Sequence, residues 1–368
     1  MPLAAASRTG RPLFGERGTH AGVPPRADAT VRSTIPSEGS PFLPECNEFL
    51  YRPIAHSLSV PSMNSMSGVF APVITPFKPD LSPDADRLIH HCRWLLANDV
   101  GLAVFGTNSE GNSLSVDERI TLLDALIDAG LDPARMMPGT GCSAFTDTVR
   151  LTAHAVKRGC GGVLMLPPFF YKNVSDEGLF RTFSEIIQRV GDARLRVFLY
   201  HIPQFSMVPI SLAVTERLLA EYPGQVAGMK DSSGDWSNTV AFLDAFAADG
   251  FQVFPAAETM LLRGLPLRAA GCISATANVN PGPIAEVYRT WRDPGTEAKQ
   301  ARLDVIRGIF ARFPMIPGLK AAVAHWSRDP GWRNVRPPLT PLETQVEQEL
   351  LSVLESQGFD MPRLASTA

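Results

Sequence analysis

The stretch Val226-Ala-Gly-Met-Lys-Asp-Ser-Ser-Gly234 decides the fold. It predicts a short buried strand that ends in a turn, with one lysine, Lys230, inside the strand. Desolvation disfavours an ammonium ion among apolar side chains, and a neutral amine there can attack a carbonyl and form a Schiff base. The alternative is a strand-end lysine whose ammonium reaches water along an apolar stem. Taken alone, this stretch favours a solvent-reaching lysine. The rest of the chain favours the Schiff-base lysine instead.

Strand–helix pairs continue on both sides of this stretch. Each predicted strand is followed by a helical pattern, including one over 260–268, and Ser115 and Glu118 form a capping box at the start of the second helix. The predicted strands lie at 69–75, 102–105, 136–138, 162–166, 195–200, 226–230, 251–255 and 271–274. Eight strand–helix units predict an α/β fold, a (β/α)8 TIM barrel, rather than an open doubly wound sheet.

The chain is predicted to have three parts. Residues 1–65 are rich in proline and arginine and lack lysine and periodicity, which predicts a disordered extension or an over-long reading frame that starts properly at Met63 or Met66. Residues 66–293 form the predicted barrel. Residues 294–368 contain further helical patterns, which we expect to pack on the barrel or to make a subunit contact.

The amino-acid composition argues against several classes of function, namely nucleic-acid binding, membrane insertion and zinc binding. The 368-residue chain is 45% hydrophobic with a net charge of -3, so no basic excess favours nucleic acid. No apolar run reaches the roughly 18 residues that a membrane span needs. The five cysteines are scattered without a C-x-x-C pair, which predicts a reducing, cytoplasmic compartment and argues against a zinc site. Gly139–Ala144 matches the glycine pattern of a dinucleotide site, but no acidic residue follows about 20 positions later.

The candidate site lies at the carboxyl ends of the predicted strands, because catalysis in such barrels occurs at that face. Tyr200 and Lys230 fall at matching ends of consecutive strands. Neighbouring parallel strands lie about 4.8 Å apart, so a phenol and an amine can converge there on one small substrate. Side chains alternate along a strand, so His201 points toward the helices and is expected to be structural.

Together these residues resemble the dihydrodipicolinate synthase / N-acetylneuraminate lyase family of class I aldolase-like enzymes, as a divergent member. Each motif is weak alone, and their order and spacing in an eight-unit barrel make a strong signal. The resemblance runs from Gly68 to Leu342 and is carried by the loop Gly106–Glu110, by Tyr200–Pro203, by Gly228–Gly234 around Lys230, and by Gly271–Asn278.

The resemblance implies a lysine imine that needs no metal and no cofactor. Lys230 would attack the ketone of a 2-oxo acid, and Tyr200 would move protons at the reacting centre. Thr107 would link Tyr200 to Tyr171, which a neighbouring subunit of a dimer or tetramer would lend. The substrate-binding residues implied are Gly106, Asn108, Ser109, Ile273 and Phe205.

Three positions depart from the family pattern. Asn108 stands where Thr or Ser is usual, and Ser109 stands where Gly is usual. Phe205 occupies the position at which dihydrodipicolinate synthases carry an arginine for the second substrate's carboxylate. Phenylalanine cannot make that bidentate contact, which argues for a less charged aldehyde-side substrate.

These residues are consistent with four functions. The leading hypothesis is a Schiff-base lyase of aldolase type that releases or condenses pyruvate, acting on a 2-oxo-3-deoxy sugar acid or a 4-hydroxy-2-oxo acid. A dehydratase or deaminase that uses the same imine is the runner-up, and 4-hydroxy-tetrahydrodipicolinate synthase is third. A non-catalytic barrel that binds small acids is a different class, and the retained lysine and hydroxyl residues argue against it.

Overall fold

The computed structural model describes residues 66–364. Within them the strands pair in parallel, in the orders β2-β1-β7 and β3-β4-β5-β6. The strands are β1 (Gly68–Ala71), β2 (Val100–Leu102), β3 (Val163–Met165), β4 (Val197–His201), β5 (Val226–Asp231), β6 (Gln252–Pro255) and β7 (Gly271–Ile273).

The segment 136–140 lies between β2 and β3 and takes the place of the third predicted strand. The N–H groups of Met137 and Gly139 donate to carbonyls at and just after the end of β2, at 2.8 and 2.7 Å. The segment forms only isolated bridges, because Pro138 has no N–H to donate toward β3. The prediction of a regular strand over 136–138 is therefore wrong, although the chain follows the expected path.

A second irregular link joins β6 to β7 and β1. Ala270 donates its N–H to the carbonyl of Val253 at 2.9 Å and accepts from the N–H of Gly68 at 2.8 Å. Together with the segment 136–140, this link lets the strands follow one another around a ring. The chain thus has the predicted (β/α)8 TIM-barrel fold with a C-terminal helical extension.

Helices follow the strands and continue beyond the barrel. The predicted helix over 260–268 is wrong in length: it ends at Gly264, and Pro266 lies in the turn of 3₁₀ helix that follows. The helices are α1 (Ala85–Ala97), α2 (Val116–Asp128), α3 (Phe145–Lys157), α4 (Asp176–Val190), α5 (Pro203–Ser206), α6 (Leu212–Glu221), α7 (Trp236–Phe246), α8 (Leu261–Gly264), α9 (Pro281–Arg289), α10 (Thr296–Phe310), α11 (Met315–Ser327) and α12 (Thr344–Ser356).

The barrel interior has its own apolar core, separate from the one between strands and helices. Phe198 and Phe254 meet edge to face there, with ring centres 5.9 Å apart, and Ile273 packs in the same cluster. Because side chains alternate along a strand, Tyr200 points inward like Phe198 and belongs to this cluster. The interior of the barrel therefore leads directly to the candidate site.

The predicted extension over 1–65 lies outside the described residues, and the domain boundaries at 65 and 293 stay predictions. The predicted capping box is present: Ser115 Oγ accepts the N–H of Glu118 at 3.1 Å, and Glu118 accepts the N–H of Ser115 at 2.8 Å. Among residues 66–364, no helix is long and apolar enough to cross a membrane.

Candidate active site

Lys230 and Tyr200 face each other inside the barrel. They are direct partners in the parallel register of β4 and β5. Lys230 Nζ lies 3.4 Å from the Tyr200 hydroxyl and 4.5 Å from the centre of the Tyr200 ring. Gly228 precedes Lys230 on the same face, where a Cβ would lie 2.8 Å from the ring of Phe198. Because Gly228 has no side chain, the Phe198 ring can pack in the barrel interior beside the strand that carries Lys230.

Thr107 adds a second hydroxyl to this pair. Its Oγ1 lies 3.0 Å from the Tyr200 hydroxyl, so three polar groups follow one another from Lys230 to Thr107. The turn that carries Thr107 is closed by the N–H of Gly111, which donates to the carbonyl of Gly106 at 3.0 Å. A Cβ at residue 111 would lie 2.0 Å from a backbone oxygen, so the turn requires glycine there.

Two backbone donors of this turn are available to a ligand. Within residues 66–364 the N–H groups of Thr107 and Asn108 make no hydrogen bond. Ser109 differs: its N–H donates to the carbonyl of Gly106 at 3.2 Å, and its side chain is fully buried. Its carbonyl accepts from the Thr75 hydroxyl at 2.7 Å. Ser109 thus holds the turn in place, and the open donors lie at 107 and 108.

The other predicted site residues lie at different depths. Ile273 is fully buried in the interior cluster with Tyr200. Phe205, on α5, is 69% exposed, and Tyr171 is 74% exposed and packs edge to face on Phe170. In this chain Tyr171 lies at the rim, apart from the Thr107–Tyr200 contact.

The sequence interpretation missed a buried ion pair behind the turn. Glu110 has a left-handed backbone, with φ 54°, and its carboxylate accepts from the ammonium of Lys320 on α11 and from the N–H of Arg336, the latter at 2.8 Å. Burial lowers the pKa of Lys320 to about 8, while the Glu110 carboxylate opposes that shift. The signal was present: Lys320 is a lone cation in an apolar helical run, as Lys230 is in its strand.

The sequence pattern of the Dihydrodipicolinate synthetase family matches residues 65–357. The chain belongs to this family. The predicted family resemblance is thereby confirmed, and the relatives are described as lyases and synthases.

Three proteins illustrate the likeness. An uncharacterized DapA-like lyase of Chloroflexus aurantiacus is 34% identical over 291 residues, which are 78% of this chain and 96% of that protein. The crystal structure of dihydrodipicolinate synthase from Agrobacterium tumefaciens has a TM-score of 0.74 and 32% identity, covering 79% of this chain and 99% of that one. A variant of the 2-keto-3-deoxygluconate aldolase of Sulfolobus solfataricus has a TM-score of 0.71 at 20% identity, covering 79% and 96%, and shows likeness of fold alone.

In this dihydrodipicolinate synthetase family member, the residues next to Tyr200 and Lys230 point outward and stiffen the strand ends. His201 Nδ1 accepts from the N–H of Ile210 at 3.1 Å, which confirms its predicted outward orientation. Burial lowers the pKa of His201, and the charge of Asp231 opposes that shift. Asp231 accepts from the Thr239 hydroxyl at 2.6 Å. These contacts fix the strands that carry the amine and the phenol.

A second buried carboxylate of this family member also escaped the sequence interpretation. Glu258, in the loop after β6, is fully buried and accepts from the hydroxyls of Ser274 and Thr276 after β7. Arg307 of α10 lies 3.8 Å from it, and Gln300 donates to its carbonyl at 3.0 Å. The helical extension thus contacts the loops at this end of the barrel.

A cavity at the amino ends of the barrel strands is separate from the candidate site. It has a volume of about 840 Å³, and its lining includes residues that precede or begin β3, β4, β5 and β6, among them Gly161, Arg196, Val226 and Gln252. Barrel enzymes carry their chemistry at the carboxyl ends of the strands. We therefore place the candidate site at Lys230 and leave this cavity out of it.

Proposed function

We propose that the chain is a Schiff-base lyase of aldolase type, in which Lys230 forms an imine with a 2-oxo acid. One observation carries the proposal: a buried amine lies 3.4 Å from the Tyr200 hydroxyl, which lies 3.0 Å from the Thr107 hydroxyl. A nucleophile within reach of a proton carrier that a third group orients is the arrangement covalent catalysis requires.

The steps follow from these positions. The neutral amine of Lys230 adds to the ketone carbon, and the oxygen leaves as water after a proton arrives from Tyr200. The protonated imine then accepts the electron pair of the bond between the third and fourth carbons, while Tyr200, which has given up its proton, takes the proton of the hydroxyl on the fourth carbon. An aldehyde is released and an enamine remains on Lys230. Proton return to the enamine and hydrolysis of the imine release pyruvate and regenerate the amine. Thr107 orients the Tyr200 hydroxyl throughout.

Two further features support a substrate assignment. The open N–H groups of Thr107 and Asn108 suit the carboxylate of a 2-oxo acid. The exposed, apolar Phe205 at the rim favours a less charged aldehyde half, and it offers no bidentate contact to a second carboxylate. We therefore propose a 2-oxo-3-deoxy sugar acid or a 4-hydroxy-2-oxo acid, in preference to the 4-hydroxy-tetrahydrodipicolinate synthase reaction.

We further propose a dimer or tetramer in the cytoplasm. Phe170 and Tyr171 form an apolar pair that is 72% and 74% exposed, which suits burial against a second copy of the chain. A partner subunit would then bring Tyr171 to the Thr107 hydroxyl. The cysteines among residues 66–364 are free thiols, which is compatible with a reducing compartment.

The test is borohydride trapping with pyruvate, followed by peptide mass mapping. We expect a stable adduct on the peptide that contains Lys230, no adduct in Lys230→Ala, and an unchanged adduct in Lys157→Ala, which alters an exposed lysine on α3. An adduct with a longer 2-oxo sugar acid but none with pyruvate favours the dehydratase or deaminase reaction. No adduct with either compound contradicts the imine and favours the non-catalytic barrel.

A further inference from the structure

One side chain of the C-terminal helical extension, Lys320, is ion-paired with the turn that carries Thr107. Lys320 is fully buried on α11, and its Nζ donates to the Glu110 carboxylate and, at 2.7 Å, to the carbonyl of Asn334. We infer that Lys320 is a positioning residue: it holds Glu110 and thereby fixes the turn that places Thr107 against Tyr200. The inference rests on the proposed imine chemistry and deepens it.

The backbone of Glu110 closes that turn directly. Its N–H donates to the carbonyl of Thr107 at 3.1 Å, and its carbonyl accepts from the N–H of Ser113 at 2.8 Å. Glu110 does this in a left-handed conformation that is unfavourable for a residue with a Cβ. Such a conformation persists only where the surroundings impose it, and here the side-chain contacts supply that constraint.

Both carboxylate oxygens of Glu110 are held by the C-terminal part of the chain. Oε1 accepts from Lys320, and Oε2 accepts from the N–H of Arg336 at 2.8 Å. The side chains of Glu110 and Lys320 are 0% exposed, so water cannot replace the ammonium. Phe77 packs against this cluster, with its ring centre 4.5 Å from Lys320 Nζ. Loss of the ammonium leaves a buried carboxylate without its charge partner.

Two contacts fix the part of the turn that directly follows Thr107. The Thr75 hydroxyl donates to the Ser109 carbonyl, and Lys320 holds the Glu110 carboxylate. If the second contact is released, the 3.0 Å contact between Thr107 and the Tyr200 hydroxyl loosens. Lys230 sits on a strand and keeps its place. Proton transfer by Tyr200 should therefore suffer more than imine formation at Lys230.

The test uses the full-length chain and pyruvate, with two measurements. The extent of borohydride-trapped adduct after long incubation reports the imine, and the rate of solvent deuterium uptake into the pyruvate methyl group, followed by proton NMR, reports proton transfer. For Lys320→Met, we expect the full adduct and uptake slowed about 10- to 100-fold. The matched control is Lys157→Met, which removes an exposed lysine on α3 and should leave both measurements unchanged.

Combination with Thr107→Val separates positioning from general stabilisation. If Lys320 acts through Thr107, the double variant Thr107→Val/Lys320→Met takes up deuterium at the rate of Thr107→Val alone. Independent effects on stability would multiply the two losses, and that result contradicts the inference.

The variant Glu110→Gln/Lys320→Met covers the case in which Lys320→Met does not fold. It removes both buried charges at once, so its thermal midpoint should recover, while deuterium uptake stays at least about ten-fold slow. Uptake at the wild-type rate in this variant, or in folded Lys320→Met, overturns the inference while the wild-type adduct keeps the proposed function intact. Absence of an adduct in the wild-type protein overturns the proposed function itself.

Discussion

At the scale of single residues, the site is a contrast between two buried lysines. Lys230 has the Tyr200 hydroxyl as its neighbour at 3.4 Å, whereas Lys320 has the Glu110 carboxylate. The carboxylate pairs with the charge of Lys320, whereas Lys230 has a hydroxyl group as its hydrogen-bonding partner. The same residue type is thus ion-paired in one place and, under the proposed function, is the nucleophile in the other.

Substitution of Tyr200 tests this assignment. Tyr200→Phe keeps the ring in the interior cluster and removes only the hydroxyl that lies between Lys230 and Thr107. We expect deuterium uptake into pyruvate to fall about 100- to 10,000-fold, because general acid–base catalysis contributes that much. Circular dichroism and the thermal midpoint serve as controls for folding. Uptake within two-fold of the wild-type rate would remove Tyr200 from the mechanism.

At the scale of elements, one arginine ties the start of α2 to the chain before α12. Arg336 donates to Glu118 Oε2 at 2.9 Å and to the carbonyl of Ser113 at 2.7 Å. These contacts, with the N–H of Ser115, hold the pKa of Glu118 at about 2, well below its usual value of 4.5. The turn that carries Thr107 leads straight into this capped helix.

The lowered pKa of Glu118 gives a pH-dependent prediction. A carboxyl whose folded pKa is depressed contributes stability above its unfolded pKa, and the contribution disappears as pH falls from about 4.5 to about 2. We expect Glu118→Gln to lower the free energy of unfolding at pH 7 by about 1 to 2 kcal/mol, after allowance for solvent screening. Urea denaturation of both proteins between pH 7 and pH 3.5 checks it. A difference that stays constant over that range contradicts the assignment.

Much of the fold and of the candidate site can be predicted from the sequence, because it depends on residues close in the chain or on consecutive strands. The capping box of Ser115 and Glu118 depends on residues three apart, and the meeting of Tyr200 with Lys230 depends only on consecutive parallel strands. The apolar residues at 136–138 predict a regular strand. The prediction fails because Pro138 has no backbone N–H to donate to the neighbouring strand β3. The apolar run around Lys320 indicates burial, but its pairing with Glu110 spans 210 positions, and no spacing rule reaches that far.

At the scale of the whole molecule, the predicted association of copies can be measured directly. We expect a solution mass at least twice the 39.9 kDa of one chain by light scattering. If a partner's Tyr171 completes the hydroxyl relay, Tyr171→Phe should slow deuterium uptake about ten-fold or more without changing that mass. A monomer that takes up deuterium at an undiminished rate would exclude a shared relay.

The contact between Glu110 and Lys320 also bears on how the protein matures during translation. It joins positions 210 residues apart, and Arg336 lies still later in the chain. Ribosomes add about 5–20 residues per second, so roughly 10 to 45 seconds separate the emergence of the turn from that of Arg336. A nascent polypeptide that has finished β7 already holds Lys230 and Tyr200 but lacks the cation behind Thr107. If Lys320 positions Thr107 as inferred above, full turnover begins only once synthesis of the carboxyl-terminal helices is complete.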